Sequence, residues 1–250
     1  MICRDHWLHS MKLMFMVFLL SFSVSAQAAC VVLLHGLARS DSSMKKLEHE
    51  LAGSDFRVIN VDYPSRDYPV EVLAEKAIAP ALDKCLPDAK INFVTHSLGG
   101  ILVRQYLSKF EISGLKRVVM LGPPNQGSEV VDKLGDFPGF HFVNGDAGMQ
   151  LGTAESSIPS RLGRADYDVG IIAGTSSINW ILSLLIPDAD DGKVSVESTR
   201  LEGMNDHIVM PVTHTFMMRN KEVIAQVVYY LKHGKFKREA GNDGSGTNKI

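Results

Sequence analysis

The stretch "INFVTHSLGGILVRQYL" (residues 91–107) changes character at its middle. "INFVTH" is a nearly continuous apolar run, the pattern of a strand buried on both faces in a parallel sheet. "LGGILVRQYL" reads as a helix, and Ser97 stands between the two. A strand that turns directly into a helix brings the elements close, so small residues suit the places two before and two after the serine. Gly99 fits this, and Gly100 relieves the next position. Thr95 is larger, although its β-branching suits an extended strand. The helix is therefore expected to sit against Thr95, with the two glycines admitting the approach. Alone, the pattern leaves two readings of Ser97. It is a helix N-cap, or a hydroxyl presented beside the positive N-terminal end of a helix, where a nucleophile finds a backbone donor.

Working outward, apolar runs alternate with amphipathic segments. "CVVLLHG" (30–36), "FRVINVDYP" (56–64), "LKRVVMLGPP" (115–124), "YDVGIIAGT" (167–175) and "HIVMPVTH" (207–214) read as strands. Residues 40–51, 70–86 and 220–234 have helical spacing, with Pro80 expected to kink or divide the second. This alternation predicts an α/β fold with a mostly parallel central sheet flanked by helices. One domain spans 29–234, with an irregular, glycine-rich excursion at about 125–165 in the position of a cap or lid. The polar tail 235–250 is expected to be disordered.

The N-terminus has a lysine, an apolar run from Leu13 to about Leu20, and Ala26-Gln27-Ala28. This is a secretory signal pattern over 1–28, and the run is shorter than the ~20 residues of a membrane span. Export to the periplasm or beyond is the expectation. Cleavage leaves Cys30 and Cys85, an even pair that suggests a disulfide in an exported chain. Acylation of Cys30 is the alternative, disfavoured by Gln27 where an aliphatic residue is usual. The 250 residues carry a net charge of −2 and are 45% hydrophobic, which gives no electrostatic footprint for nucleic acid. The sequence has no zinc-type Cys/His spacing, no phosphate-binding P-loop and no 20–50-residue repeat.

"VVLLHGLARS", "INFVTHSLGGILVRQYL" and "MLGPPNQGSEVVDKL" together resemble the bacterial lipase/esterase branch of the α/β-hydrolase superfamily. The resemblance covers about 30–232 and is weakest at 130–165. It implies Ser97 as nucleophile, followed along the chain by an acid and then a histidine. It implies an oxyanion hole from the backbone amides of Leu37, after the His-Gly pair, and Leu98, after the serine. His35 then has an architectural role. The acid comes from Asp188, Asp190 and Asp191. In similar lipases it directly precedes glycine in D-G-x-V, which selects Asp191 and leaves the others as a solvated turn. The base is His214, in the loop before the last helix, rather than His207 at a strand start. The resemblance also sets the strand beginning at Cys30 beside the one beginning near Ile91, so a Cys30–Cys85 bond would tie adjacent strand entrances.

These assignments describe an exported serine hydrolase of carboxylic esters working through an acyl-enzyme, with no metal or cofactor required. The same groups would serve a thioesterase, amidase or acyltransferase, and the fold can also carry a catalytically silent binding protein. Phe137, Phe140, Phe142, Met149 and Leu151 are candidates for an apolar lining. "INWILSLLIP" (178–187) is a candidate acyl wall or membrane-facing flap. The expected substrate is a small-molecule or lipid ester, with transient lipid-surface contact; the oligomeric state is left open.

Overall fold

The computed structural model describes residues 28–177, 183, 186 and 189–238. The expected signal segment, apart from Ala28, lies outside the described residues. So do most of 178–187, Asp188 and residues 239–250.

Six strands form one sheet: β1 (Cys30–Leu34), β2 (Arg57–Val61), β3 (Ile91–His96), β4 (Leu115–Leu121), β5 (Val169–Gly174) and β6 (Asp206–Met210). Their order is β2-β1-β3-β4-β5-β6, and every neighbouring pair is parallel. The continuous apolar runs follow from burial on both faces. In β1, Cys30, Val32 and Leu34 enter one core layer while Val31 and Leu33 enter the other. All five are fully buried, each large aliphatic side chain contributing about 1.5–3 kcal/mol.

Helices α1 (Lys45–Ala52), α2 (Val70–Leu82), α3 (Leu98–Leu107) and α7 (Lys221–His233) flank the sheet. Leu73, Ala77 and Ile78 of α2 and Ile101 and Leu102 of α3 fill the first layer. Leu47 and Leu51 of α1, with Val223, Val227 and Tyr230 of α7, fill the second. Helix α7 starts where the Asn220 side chain accepts from the Glu222 and Val223 amides, and ends at Gly234 with φ 73°. Pro80 does not divide α2, which runs on to Leu82. Its missing donor falls in the last turn, where Lys76 and Pro80 are exposed and water can meet the spare carbonyl.

Cys30 and Cys85 form a disulfide, Cα–Cα 5.8 Å. Cys30 is in register with Ile91 of β3, so the bond ties the entrance of β1 to the turn leading into β3. The chain remains packed beyond Gly234, contrary to the expectation of a tail from 235. Phe236 is buried against Tyr230, its amide donates to Asp206, and Arg238 pairs with the same carboxylate.

The 125–165 excursion contains α4 (Glu129–Leu134), α5 (Phe140–Met149) and α6 (Ile158–Arg161). Gly145, at φ 64° and ψ −173°, breaks α5. A side chain there would strike the Arg66 carbonyl, so glycine lets the second half of α5 dock on the loop after β2. Arg104 of α3 anchors the base of the excursion. Its guanidinium, 5% exposed, donates to the carbonyls of Asn125, Pro159 and Gly163. Burial lowers its pKa to about 10, leaving it charged at neutral pH.

Candidate active site

Ser97 follows the last residue of β3 at φ 52° and ψ −120°. A positive φ on a residue other than glycine costs about 1–3 kcal/mol and persists only where its surroundings hold it. The Ser97 amide donates to the Leu121 carbonyl at 2.9 Å, pinning the turn against the end of β4. Gly99 faces β1: a Cβ would lie 2.6 Å from the Leu34 carbonyl oxygen. At Gly100 a Cβ would lie 3.4 Å from Thr95 Oγ1. The helix thus sits against the threonine as its sequence predicts.

The loop after β1 approaches from one side. A side chain at Gly36 would collide with His96 Nδ1 at 2.7 Å and reach Ser97 Cβ at 3.2 Å. Beyond it, Leu37 leads into Ala38, whose φ is 54° and whose amide donates to Ser65 Oγ. The Leu37 and Leu98 amides make no hydrogen bond among the described residues. His35 is fully buried, stacks on Tyr63 with centroids 4.0 Å apart, and accepts from the Tyr63 amide. Its Nδ1–H therefore donates to Gly36 O, and burial keeps its pKa below the usual histidine value.

Asp191 and His214 meet from the loops after β5 and β6. Asp191 Oδ2 accepts from His214 Nδ1 at 2.7 Å, and the His214 amide donates to the Asp191 carbonyl at 2.9 Å. Asp191 Oδ1 takes the Lys193 and Val194 amides. The carboxylate is 1% exposed with both oxygens engaged. With Nδ1–H bound to the acid, the basic lone pair of His214 is on Nε2. Close approach here requires Gly122, where a Cβ would meet Asp191 Oδ2 at 2.9 Å and His214 Nδ1 at 3.1 Å.

Asp190 departs from the expected solvated turn. It is 9% exposed and accepts from Ser183 Oγ and the Gly192 amide, bracing the loop rather than facing His214. His207 lies apart in β6, bonded to Thr199 Oγ1, with burial lowering its pKa to about 4.

Ser97 and His214 line one cavity of about 630 Å³, with no direct hydrogen bond between hydroxyl and imidazole. Such contacts are commonly loose without substrate. Leu37, Leu134, Phe137, Phe140 and Leu151 supply apolar wall. Phe142 points outward at 85% exposure, and Met149 packs near Gly135 on another side of the excursion. So three of the five candidate lining residues face the cavity.

His96 is the residue that sequence reasoning passed over. Its Nε2–H donates to the His214 carbonyl at 2.9 Å, and the two rings lie 4.8 Å apart. Burial first, then the adjacent His214, holds its pKa well below the usual value, so it is neutral. A polar residue closing an apolar strand directly before Ser97 is the signal that could have flagged it.

Solved structures share this architecture. A lipase of Bacillus licheniformis in mature form is 16% identical, with a TM-score of 0.57, over 83% of this chain and 92% of its own. Phospholipase PlaB from Legionella pneumophila is 18% identical with a TM-score of 0.65, and the match spans 84% of this chain and 60% of that one. An esterase from Thermogutta terrifontis is 17% identical, with a TM-score of 0.56, over 83% and 91%. At such identities these likenesses establish the fold. No curated protein matches the chain in sequence. The family model for the alpha/beta hydrolase family matches residues 31–175, more than half of the chain, and the protein therefore belongs to that family.

Proposed function

We propose that the protein is an exported serine hydrolase of carboxylic esters, with Ser97 as nucleophile, His214 as base and Asp191 as the acid that orients it. The observation that carries this reading is the strained Ser97 backbone, beside an imidazole whose Nδ1 is held by a buried carboxylate. Strain of that kind clusters at functional sites.

His214 Nε2 takes the Ser97 proton as Oγ attacks the acyl carbonyl. The Leu37 and Leu98 amides receive the oxyanion, each worth about 10²–10³ in rate. His214 then protonates the departing alcohol, and the acyl group remains on Ser97. Water, deprotonated by the same imidazole, releases the acid and restores the serine. Asp191 stabilises the imidazolium in both halves of the cycle. The apolar cavity suits a short or medium acyl chain. The Cys30–Cys85 disulfide supports export, because such bonds persist in oxidising compartments.

The test is hydrolysis of p-nitrophenyl esters of graded chain length by the mature protein and its Ser97→Ala variant, with fluorophosphonate labelling in parallel. Wild-type turnover and labelling are expected, both lost in the variant. Equal hydrolysis by the variant would sink the mechanism. Labelling without ester turnover would move the reading to another acyl-transfer reaction.

A further inference from the structure

The cavity that holds Ser97 has an unusual charge pattern. The protein carries a formal net charge of −2, yet among the described residues no carboxylate lines this cavity. Among the described lining residues, Arg39 and Lys193 are the Arg and Lys side chains. Arg39 comes from the loop after β1, two residues beyond Leu37. Lys193 comes from the acid loop, two residues beyond Asp191. Both line the cavity together with Ser97 and His214. Among the described residues, neither side chain makes an ion pair with a carboxylate.

The two cations also feel one another. Burial and then the Arg39 charge hold the Lys193 ammonium below the usual lysine range, against the opposing pull of the Asp191 carboxylate. Both charges act on His96, beside His214. Two cations sharing one cavity favour an anion between them, and apolar walls focus their field on whatever enters. Next to them, Leu134 and Phe140 provide the apolar wall. A site built this way fits an amphiphile with one apolar and one anionic arm.

We infer that the substrate is an ester whose acyl chain lies in the apolar cavity and whose alcohol portion carries an anionic group, phosphate or carboxylate, held between Arg39 and Lys193. This rests on the ester-hydrolase reading above. Lys193 belongs to the loop that carries the acid and lines the cavity with His214, the base that protonates the leaving alcohol, so the anion is assigned to the alcohol. Arg39 can fork two N–H groups onto one anion, whereas Lys193 acts as a point charge.

Three octanoyl aryl esters test this: methyl 4-(octanoyloxy)benzoate, 4-(octanoyloxy)benzoate and 4-(octanoyloxy)phenyl phosphate, each rate referred to its own hydroxide-catalysed rate. The wild type is expected to favour an anionic ester by about 10-fold in kcat/KM, mainly through KM, and less at high salt. A gain on both anions supports the inference; a gain on phosphate alone supports it and narrows the class. Arg39→Gln and Lys193→Gln should each lower the anionic-to-neutral ratio, and the double variant should bring it near unity. Lys193→Arg should retain it, which a purely structural role would not predict. The Lys193 amide that binds Asp191 is main chain and survives these changes. A wild-type ratio near one, or a ratio unchanged in the double variant, overturns the inference. If that happens while the neutral ester is still hydrolysed and Ser97→Ala abolishes it, the ester reading stands alone. Turnover of none of the three overturns both.

Discussion

The floor of the cavity and the outer turn of its cap obey different constraints. At the floor, Gly36, Gly99 and Gly122 each face atoms within 3 Å of where a Cβ would stand, and Leu34, Thr95 and Leu98 are fully buried. In the cap, a Cβ at Gly139 would meet nothing within 4 Å. Phe137, Phe142 and Val143 around it are 63%, 85% and 55% exposed. The floor is over-determined, so it can hold a strained serine and a buried carboxylate–imidazole hydrogen bond. The outer cap shapes the cavity with few contacts of its own. A change at the floor should therefore cost far more than a comparable change in the cap.

The largest effect is expected from Asp191→Asn. Asp191 Oδ1 already accepts two amides, so the asparagine oxygen must stay there and its NH₂ must face His214 Nδ1. That forces the proton onto Nε2 and removes the base. On the proposed mechanism kcat should fall about 10⁴-fold with the fold intact, read by ester kinetics beside far-UV circular dichroism. A loss under tenfold would mean that this pair does not set the tautomer.

Next comes the disulfide. Replacing Cys30 and Cys85 together by alanine should lower stability by about 2–5 kcal/mol, since the bond closes a long loop and Cys30 is fully buried. Urea unfolding of the oxidised wild type and the double variant measures it. A change below about 1 kcal/mol would show that the strand entrances are held by packing alone.

Acid should weaken the floor in a defined window. His96 is neutral when folded, its pKa held well below the 6.5 that applies unfolded. A depressed histidine contributes stability fully above the unfolded value, and loses it as pH falls toward the folded one. At about pH 5 the proton taken up by unfolded His96 is worth about 2 kcal/mol. His35 and His207 add in the same direction. The depressed pKa of Asp206 acts only lower, around and below its ordinary 3.8. Urea midpoints between about pH 7.5 and 5 should fall, and fall less in His96→Gln. A flat wild-type profile would place the imidazole in contact with water.

How much of this was legible follows the same division. β1, β3, β4 and β5 are buried on both faces, so their apolar runs announced them; Ser97 follows β3, and Asp191 and His214 lie in the loops after β5 and β6, in chain order. His96 was not legible because its partner is a carbonyl 118 residues away, which no spacing rule encodes. Arg39 and Lys193 belong to no motif of the sequence, and only the fold brings their two loops to one cavity. Asp190 read as solvated for the same reason. The helix α5 was illegible because Gly145 interrupts its period and two of its apolar residues, Phe142 and Val143, face outward.

The smallest effect should come from Phe142, and it is the sharpest control on the contrast. Phe142 is the most exposed large apolar residue described, and it does not line the cavity, although Phe140 two positions earlier does. Phe142→Ser should alter stability by no more than about 0.5 kcal/mol and leave kinetics on soluble esters within about twofold. Phe140→Ser, two residues away, removes apolar wall and should raise KM for octanoyl over acetyl esters by about tenfold. Thermal melts and chain-length kinetics on both variants decide the matter. If Phe142→Ser destabilises by more than about 1 kcal/mol, the outer turn is packed against something that restrains it, and the contrast between floor and cap narrows. If it instead lowers activity only on esters presented in micelles, the ring's exposure has a use at a lipid surface.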